Sequence, residues 1–203
     1  MKILVAIANY GVKNIEYAKR LIHEFQSMPF DVDIFVLSEV PKNYGLNVTV
    51  LVGLPSKDPW SLPFAHKKLF AENIDKYDVF IYTEDDVLIK TENILAFLSA
   101  TEQINDGLLP GFIRYELYPD GKKNYPDIFG LHHWLPGSVA KCGDYVFAKL
   151  SNDHSACYIL TQAQLQKAFI SGGFLVPPHS GRYDLICSPG TLPSHSQSCH
   201  RPG

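Results

Sequence analysis

The stretch DVFIYTEDDVL, residues 78–88, decides how this chain folds. Its first part is a continuous apolar run, which is typical of a strand that is buried on both faces of a sheet. Three carboxylates then follow without a break, Glu84, Asp85 and Asp86. Two unit charges about 4 Å apart repel by roughly 1 kcal/mol in water and by several times more beside a protein wall. The stretch therefore predicts a buried strand that opens onto a cation site.

The segments before this stretch alternate between strand and helix patterns. Residues 2–8 form an apolar run, and residues 15–25 carry apolar side chains at helical spacing. Residues 32–37 and 48–52 have the composition of strands, and residues 61–74 are predicted to form a helix that leads into the acidic strand. Strand, helix, strand is the unit of a parallel α/β sheet, so the sequence predicts a sheet of this kind.

The second half of the chain has weaker patterns. Three further strands are predicted, at residues 112–117, 146–150 and 156–160. Residues 118–144 are turn-rich and aromatic, and such a long irregular stretch is usually functional or mobile. Thr161 and Gln164 have the spacing of a capping box, which predicts that a short helix begins there.

Composition and charge narrow the class of protein. The chain has 203 residues, of which 46% are hydrophobic, so we expect one domain over residues 1–203. The formal net charge of -3 and a pI near 6.2 give no general attraction to nucleic acid or to an anionic membrane. No apolar run is long enough to span a bilayer and the apolar N-terminus is short for a secretory signal, which predicts a soluble, cytoplasmic protein. The four cysteines are widely spaced and are predicted to be reduced thiols.

Polar side chains follow the predicted parallel strands at the ends where such sheets bind ligands. This group contains Asn9, Ser38, Glu39, Glu84, Asp85 and Asp86. Carboxylate oxygens suit Mg²⁺ and Mn²⁺, which complete their shells with water and substrate phosphates. Lys67 and Lys68, on the helix before the acidic strand, are therefore predicted to neutralise a diphosphate beside the metal.

The order of these β/α units, together with residues 80–87 (FIYTEDDV), resembles glycosyltransferases of the GT-A fold, whose metal motif D-x-D is E-D-D in some members. The resemblance extends to residues 65–68 (AHKK) and 154–158 (HSACY) and covers most of the chain up to residue 170. It implies a GT-A-like, Rossmann-like α/β fold, with a mixed, mostly parallel sheet and helices on both faces. The domain would then divide into a nucleotide-sugar-binding half (1–100), an acceptor-side half (101–176) and an irregular tail (177–203). A truncated C-terminus would also explain the irregular sequence of the tail.

The resemblance implies transfer of a hexose-type sugar from a nucleotide-sugar donor, with UDP as the expected nucleotide, to a carbohydrate or other hydroxyl acceptor. Asp86 would coordinate Mn²⁺ or Mg²⁺ together with the donor diphosphate. Glu84 and Asp85 would contact the sugar and the ribose of the donor. The nucleoside would be bound by three residues that follow the first two strands, Asn9, Tyr10 and Glu39.

Two further roles are expected in the later part of the chain. GT-A enzymes often add a histidine near the C-terminal end as a metal ligand, for which His195 and His200 are the candidates. An inverting enzyme also needs a carboxylate that takes a proton from the acceptor hydroxyl. Asp184 is the first candidate for this base, and Asp153 is the second.

Two other functions stay open from the sequence. A metal-dependent phosphohydrolase could use the same carboxylates, although the first strand ends in Asn9 and not in an acidic nucleophile. A non-catalytic module that binds a nucleotide sugar could keep the fold without turnover. The donor sugar, the acceptor, the stereochemical course and the oligomeric state are not determined by the sequence.

Overall fold

The protein is described by a computed structural model, which covers residues 1–104, 108–126, 133–151 and 155–180, and the backbone of residues 197–200. The chain forms two compact units. The first contains residues 1–94 and 154–193, and the second contains residues 95–153 and 194–203. The predicted single domain over residues 1–203, with its two halves and its tail, stays a prediction.

Within the described part of the chain, the first unit is built on a five-stranded sheet. Its strands, numbered along the chain, are β1 (Lys2–Ala8), β2 (Asp31–Ser38), β3 (Val48–Val52), β4 (Val79–Glu84) and β10 (Cys157–Thr161). They lie in the order β10-β4-β1-β2-β3, and of these strands β10 alone pairs antiparallel. The predicted fold class, a Rossmann-like α/β fold with a mixed, mostly parallel sheet, is confirmed.

The centre of this sheet brings three strand ends together. β1 and β4 are buried along almost their whole length, which explains their continuous apolar sequences. β1 lies between β2 and β4, and in the register of the sheet Ala8 is opposite both Leu37 and Glu84. The chain order reverses beside β1, and in α/β sheets the carboxyl edge at such a reversal is where ligands bind.

Helices connect the strands. They are α1 (Ile15–Gln26), α2 (Ala65–Glu72), α3 (Thr91–Gln103) and α4 (Gln162–Ile170), with a 3-10 helix at Pro59–Phe64. The predicted capping box of Thr161 and Gln164 is present at the start of α4. The helix predicted over 61–74 is instead two elements, because Pro63 lies in the 3-10 helix and lacks the N–H that the interior of an α-helix needs. No helix that the structure describes is long and apolar enough to cross a membrane.

The second unit contains a smaller sheet and a hairpin. Its strands are β5 (Leu108–Gly111), β6 (Glu116–Leu117), β7 (Lys123–Asn124), β8 (Trp134–Cys142), β9 (Tyr145–Leu150) and β11 (Gln197–His200). The sheet has the order β5-β11-β9-β8, and β6 pairs with β7. Ala100 and Phe147 form a buried cluster in this unit, and Ile104, Leu108 and Tyr145 pack against it. This unit therefore has an apolar cluster of its own.

The sequence predicted this second unit poorly. The strand expected at 112–117 is wrong in its limits, because the backbone pairs at 108–111 and at 116–117 instead. The stretch 118–144 is not irregular throughout, since it contains β7 and β8. Pro136 and Gly137 interrupt the alternation of apolar and polar residues in β8, and both residues are uncommon inside strands. The usual signal of a strand is therefore missing from this part of the sequence.

Candidate functional site

A cavity of about 250 Å³ lies at the carboxyl ends of β1 and β4 in the first unit. Its polar lining consists of Asn14, Glu84, Asp85 and Asp86. Its apolar and aromatic lining consists of Ala8, Tyr10, Pro59, Trp60, Leu62 and Pro63. The volume is close to the lower end of the roughly 300–1,000 Å³ of small-molecule sites, which suits a ligand that is only partly enclosed.

A short turn after β4 holds the three acids in place. The backbone N–H of Val87 donates to the carbonyl oxygen of Glu84 at 3.3 Å, which closes the turn. The hydroxyl of Thr83 lies 3.1 Å from the same carbonyl oxygen and 3.1 Å from that of Val87. The N–H of Glu84 donates to the carbonyl oxygen of Ala156 in the neighbouring chain segment at 3.0 Å. The backbone around the acids is thus held both by hydrogen bonds within the turn and by a hydrogen bond to the neighbouring segment.

Asp85 is the buried member of the three, with 7% of its surface exposed. Its Oδ2 accepts a hydrogen bond from the Asn9 amide at 2.6 Å, and its Oδ1 accepts one from the Asn14 amide at 2.8 Å. Burial raises the pKa of Asp85 above its usual range, and the two amide hydrogen bonds oppose that rise. Asn14 occupies the N-cap position of α1, but its side chain makes no cap hydrogen bond and binds Asp85 instead.

Asn9 is fully buried and links Asp85 to the loop that follows β2. Its Oδ1 accepts hydrogen bonds from Lys42 Nζ at 2.7 Å and from the Tyr44 hydroxyl at 2.5 Å. Its backbone oxygen also accepts from Lys42 Nζ, at 2.8 Å. Burial, with the charges of Asp85 and Glu39 nearby, raises the pKa of Tyr44 to about 12. Lys42 and Tyr44 were not predicted from the sequence, although both follow the carboxyl end of a parallel strand, which is where such sheets bind ligands.

Glu39 connects the loop after β2 with the loop after β1. Its Oε1 accepts a hydrogen bond from the Gly11 N–H at 2.9 Å, and its Oε2 lies 3.6 Å from Lys42 Nζ. Gly11 has a φ of 65°, a conformation that glycine adopts without steric cost. Tyr10, next to it, is 53% exposed and lines the cavity. Of the three predicted nucleoside contacts, Tyr10 reaches the cavity, whereas Asn9 and Glu39 hold the surrounding loops together.

The two lysines predicted to neutralise a diphosphate do not line this cavity. Lys67 is only 5% exposed, and its Nζ lies 5.3 Å and 5.7 Å from the ring centroids of Phe64 and Phe174. Burial lowers the pKa of Lys67 to about 8. Lys68 is exposed, and its Nζ lies 3.7 Å from Glu72 Oε1 on the same helix. Within the described residues, Lys42 is instead the lysine that hydrogen bonds join to Asp85, through Asn9.

His66 supports the apolar side of the cavity from within the core. It is fully buried, and its Nδ1 donates to the carbonyl oxygen of Pro63 at 2.5 Å. Its Nε2 accepts a hydrogen bond from the Tyr158 hydroxyl. The imidazole ring is stacked on Tyr82, with 4.1 Å between the ring centroids. Burial lowers the pKa of His66 to about 3, so the ring is neutral at pH 7 and serves both hydrogen bonds.

Several predicted catalytic and metal-binding residues cannot be placed with the acids. Asp153, Asp184 and His195 lie outside the described residues, and of His200 the structure describes only the backbone, in β11 of the second unit. Among the described side chains, no group of three or more His, Cys, Asp or Glu residues is arranged so that it could hold a metal ion by itself. Mg²⁺ usually takes one or two carboxylates and completes its shell with water and phosphate. Glu84 and Asp86 offer this type of donor, so they fit an ion that arrives with a phosphate ligand.

Comparison with known proteins gives similarity at the level of structure alone. No family model and no curated protein matches the sequence. The bifunctional IspDF from Campylobacter jejuni is similar in structure at 12% identity and a TM-score of 0.40, over 83% of this chain and 43% of that chain. The 4-diphosphocytidyl-2C-methyl-D-erythritol synthase from Anaerococcus prevotii is similar at 12% identity and a TM-score of 0.37, over 86% of this chain and 78% of that chain. The chain therefore spans less than half of the length of IspDF.

These comparisons contradict the predicted family and reaction. Both similar structures are nucleotidyltransferases of the IspD type, and neither is a glycosyltransferase. The predictions of sugar transfer, of a D-x-D motif and of a UDP-sugar donor are therefore wrong. At 12% identity the similarity concerns the fold, and no substrate or reaction is carried from these proteins to this chain.

Proposed function

We propose that the first unit binds a nucleotide together with a divalent cation, in the cavity at the carboxyl ends of β1 and β4. One observation carries the proposal: two aromatic side chains line the same cavity as the acids of the turn after β4. Trp60 is 57% exposed and Tyr10 is 53% exposed, so both residues are accessible to a ligand. Nucleobases stack on such rings, and carboxylates hold the cations that accompany phosphates.

The cation would be Mg²⁺ or Mn²⁺, and Asp86 with Glu84 would hold it. Asp86 is exposed at the turn, and Glu84 is half-buried beside it. Asp85 has a different proposed role, because both of its oxygens already accept amide hydrogen bonds that fix the turn. When bound, the cation would neutralise charge on the phosphate oxygens and polarise the phosphoryl group.

Replacement of Asp86 by Asn is expected to remove the cation-dependent part of nucleotide binding. The amide keeps the size of the side chain but loses the charge, and interactions with charged groups contribute about 1.5–3 kcal/mol, which is a loss of roughly tenfold or more in affinity. Calorimetric titration with ATP, CTP, GTP and UTP, each in MnCl₂ and in EDTA, measures this difference. The electron paramagnetic resonance signal of free Mn²⁺ gives an independent reading of cation binding.

The matched control for this variant is Asp75→Asn, which changes an exposed acid of the same unit outside the cavity. We expect this variant to bind nucleotide and Mn²⁺ as the wild type does. Wild-type behaviour of Asp86→Asn would contradict the proposed cation site. If none of the four nucleotides binds to the wild type in the presence of Mn²⁺, the proposed function itself is wrong.

Trp60→Ala is expected to weaken nucleotide binding by about 1–3 kcal/mol, the usual contribution of one base stacked on an aromatic side chain. Trp60→Phe keeps a ring and should retain most of the affinity. The chain has two tryptophans, so in a Trp134→Phe background the fluorescence of Trp60 reports directly on nucleotide binding. Unchanged affinity in Trp60→Ala would show that the base does not lie against this ring.

A further inference from the structure

A second cleft, of about 590 Å³, lies within the second unit. It is formed on one face of the β8-β9 hairpin, where Phe147 and Lys149 point to the same side because side chains alternate along a strand. Ala140 and Leu135 lie opposite them in the register of the hairpin, and Ile104 adds to the apolar lining. The volume falls within the roughly 300–1,000 Å³ of small-molecule sites.

A bulge in β8 shapes one wall of this cleft. Between the pairs Leu135–Lys149 and Ala140–Phe147, four residues of β8 (136–139) face one residue of β9 (148). Ser138 fastens the bulge, because its hydroxyl donates to the Leu135 carbonyl oxygen at 2.6 Å and accepts from the Lys149 backbone N–H at 2.8 Å. Bulges are over-represented at sheet edges, where β8 lies, and next to active sites, where they redirect side chains. The wall is thus held by hydrogen bonds.

Lys149 is the charged side chain in the lining of this cleft. Its ammonium group makes no ion pair or hydrogen bond with the residues that the structure describes, and none of the described lining residues is a carboxylate. An ammonium group beside an apolar surface attracts an anion more strongly than one in bulk water, because the local dielectric constant is lower. The cleft therefore combines an apolar surface with one positive charge that has no partner in the described part of the protein.

We infer that this cleft binds a small amphipathic carboxylate, whose apolar body packs against the β8-β9 face and whose carboxylate pairs with Lys149. The body must be mainly hydrocarbon or aromatic, because a polar group buried here without a partner would disfavour binding. A single ammonium group matches a single negative charge. The inference is independent of the proposed nucleotide site, since the two sets of lining residues share no member.

Calorimetric titration of the full chain with decanoate, below its aggregation concentration, tests the inference. We expect decanoate to bind the wild type and to bind Lys149→Met about tenfold or more weakly, because the variant keeps an apolar side chain but loses the charge. Decanol has the same hydrocarbon body without the charge, so it should bind more weakly than decanoate to the wild type and equally to both proteins. Absence of decanoate binding, or equal affinity of the wild type and Lys149→Met, would overturn the inference.

Lys141→Met is the matched control, because Lys141 is exposed on β8 and alternates with Ala140 and Cys142, which line the cleft. It should bind decanoate as the wild type does, and a loss equal to that of Lys149→Met would show a general charge effect and contradict the inference.

A second measurement needs no variant. Cys142 lines the cleft as a free thiol, and Cys157 is a cysteine of the first unit, outside the cleft. We expect bound decanoate to slow the alkylation of Cys142 by iodoacetamide about tenfold, and the degree of slowing should follow the fraction of the protein that holds decanoate. The alkylation of Cys157 should be unaffected. Peptide mass spectrometry separates the two sites. An unchanged rate at Cys142 under saturating decanoate would overturn the inference.

Discussion

Acidification from pH 6.5 towards pH 3 is expected to lower the free energy of unfolding by up to about 5 kcal/mol through His66 alone. His66 is fully buried, and burial lowers the pKa of its imidazole from 6.5 to about 3. Between these values the unfolded chain takes up a proton at His66 and the folded chain does not. The unfolded state therefore binds more protons, so stability falls as the pH falls, and above pH 6.5 this group adds no pH dependence.

The surroundings of His66 explain why the folded protein resists this proton. A protonated imidazole would have to donate at Nε2, which now accepts the hydrogen bond of the Tyr158 hydroxyl. Its ring is stacked on Tyr82, so no water can reach the new charge from that side. Nδ1 holds the Pro63 carbonyl group, and Pro63 lines the proposed nucleotide site. Acid should therefore also weaken nucleotide binding, by loosening this part of the wall.

Urea unfolding at a series of pH values from 7.5 down to 4 measures the effect. In His66→Gln the side chain can still donate and accept but cannot become charged, so we expect lower stability at pH 7.5 and a flatter dependence on pH below it. His23→Gln is the matched control, because His23 is an exposed histidine of the same unit. A slope in His66→Gln that equals that of the wild type would contradict the assignment to His66.

The parts of the fold that the sequence predicted correctly are those that depend on local patterns. Residues 79–82 are apolar without interruption because β4 is buried on both faces, and this pattern is visible in one segment. α1 buries a stripe at helical spacing, which is equally local. Because parallel strands end at a common edge, the position of the acids beside Asn9 followed from the strand order alone.

The parts that the sequence did not predict depend on contacts between distant segments. Lys42 binds Asn9 across 33 positions, and His66 binds Tyr158 across 92 positions. His66 and Lys67 have polar side chains on a short helix, which favours exposure, and packing against aromatic rings reverses that expectation. The predicted diphosphate contact of Lys67 rested on its distance from the acids in the sequence, which carries no information on where its side chain points.

Replacement of Lys67 by Met is expected to raise the free energy of unfolding at pH 7 by up to about 3 kcal/mol. Burial lowers the pKa of this ammonium group from 10.5 to about 8, so folding at pH 7 carries the cost of burying a positive charge. Met has a similar length and packs against Phe64 and Phe174 without that cost, although it loses the two cation–π contacts. The expected gain in stability is therefore the desolvation cost of the ammonium group minus the stabilisation that the two cation–π contacts provide.

The pH dependence of this gain separates the charge from the packing. Between pH 8 and pH 10.5 the folded wild type loses the proton of Lys67 while the unfolded chain keeps it, so the wild type gains stability as the pH rises. The advantage of Lys67→Met should shrink over the same interval, as measured by urea unfolding at pH 7, 9 and 10. Lys68→Met, which changes the exposed neighbour, should alter stability by no more than about 0.5 kcal/mol at any of these values. A less stable Lys67→Met at pH 7 would contradict the expectation that burial of this ammonium group carries a net cost.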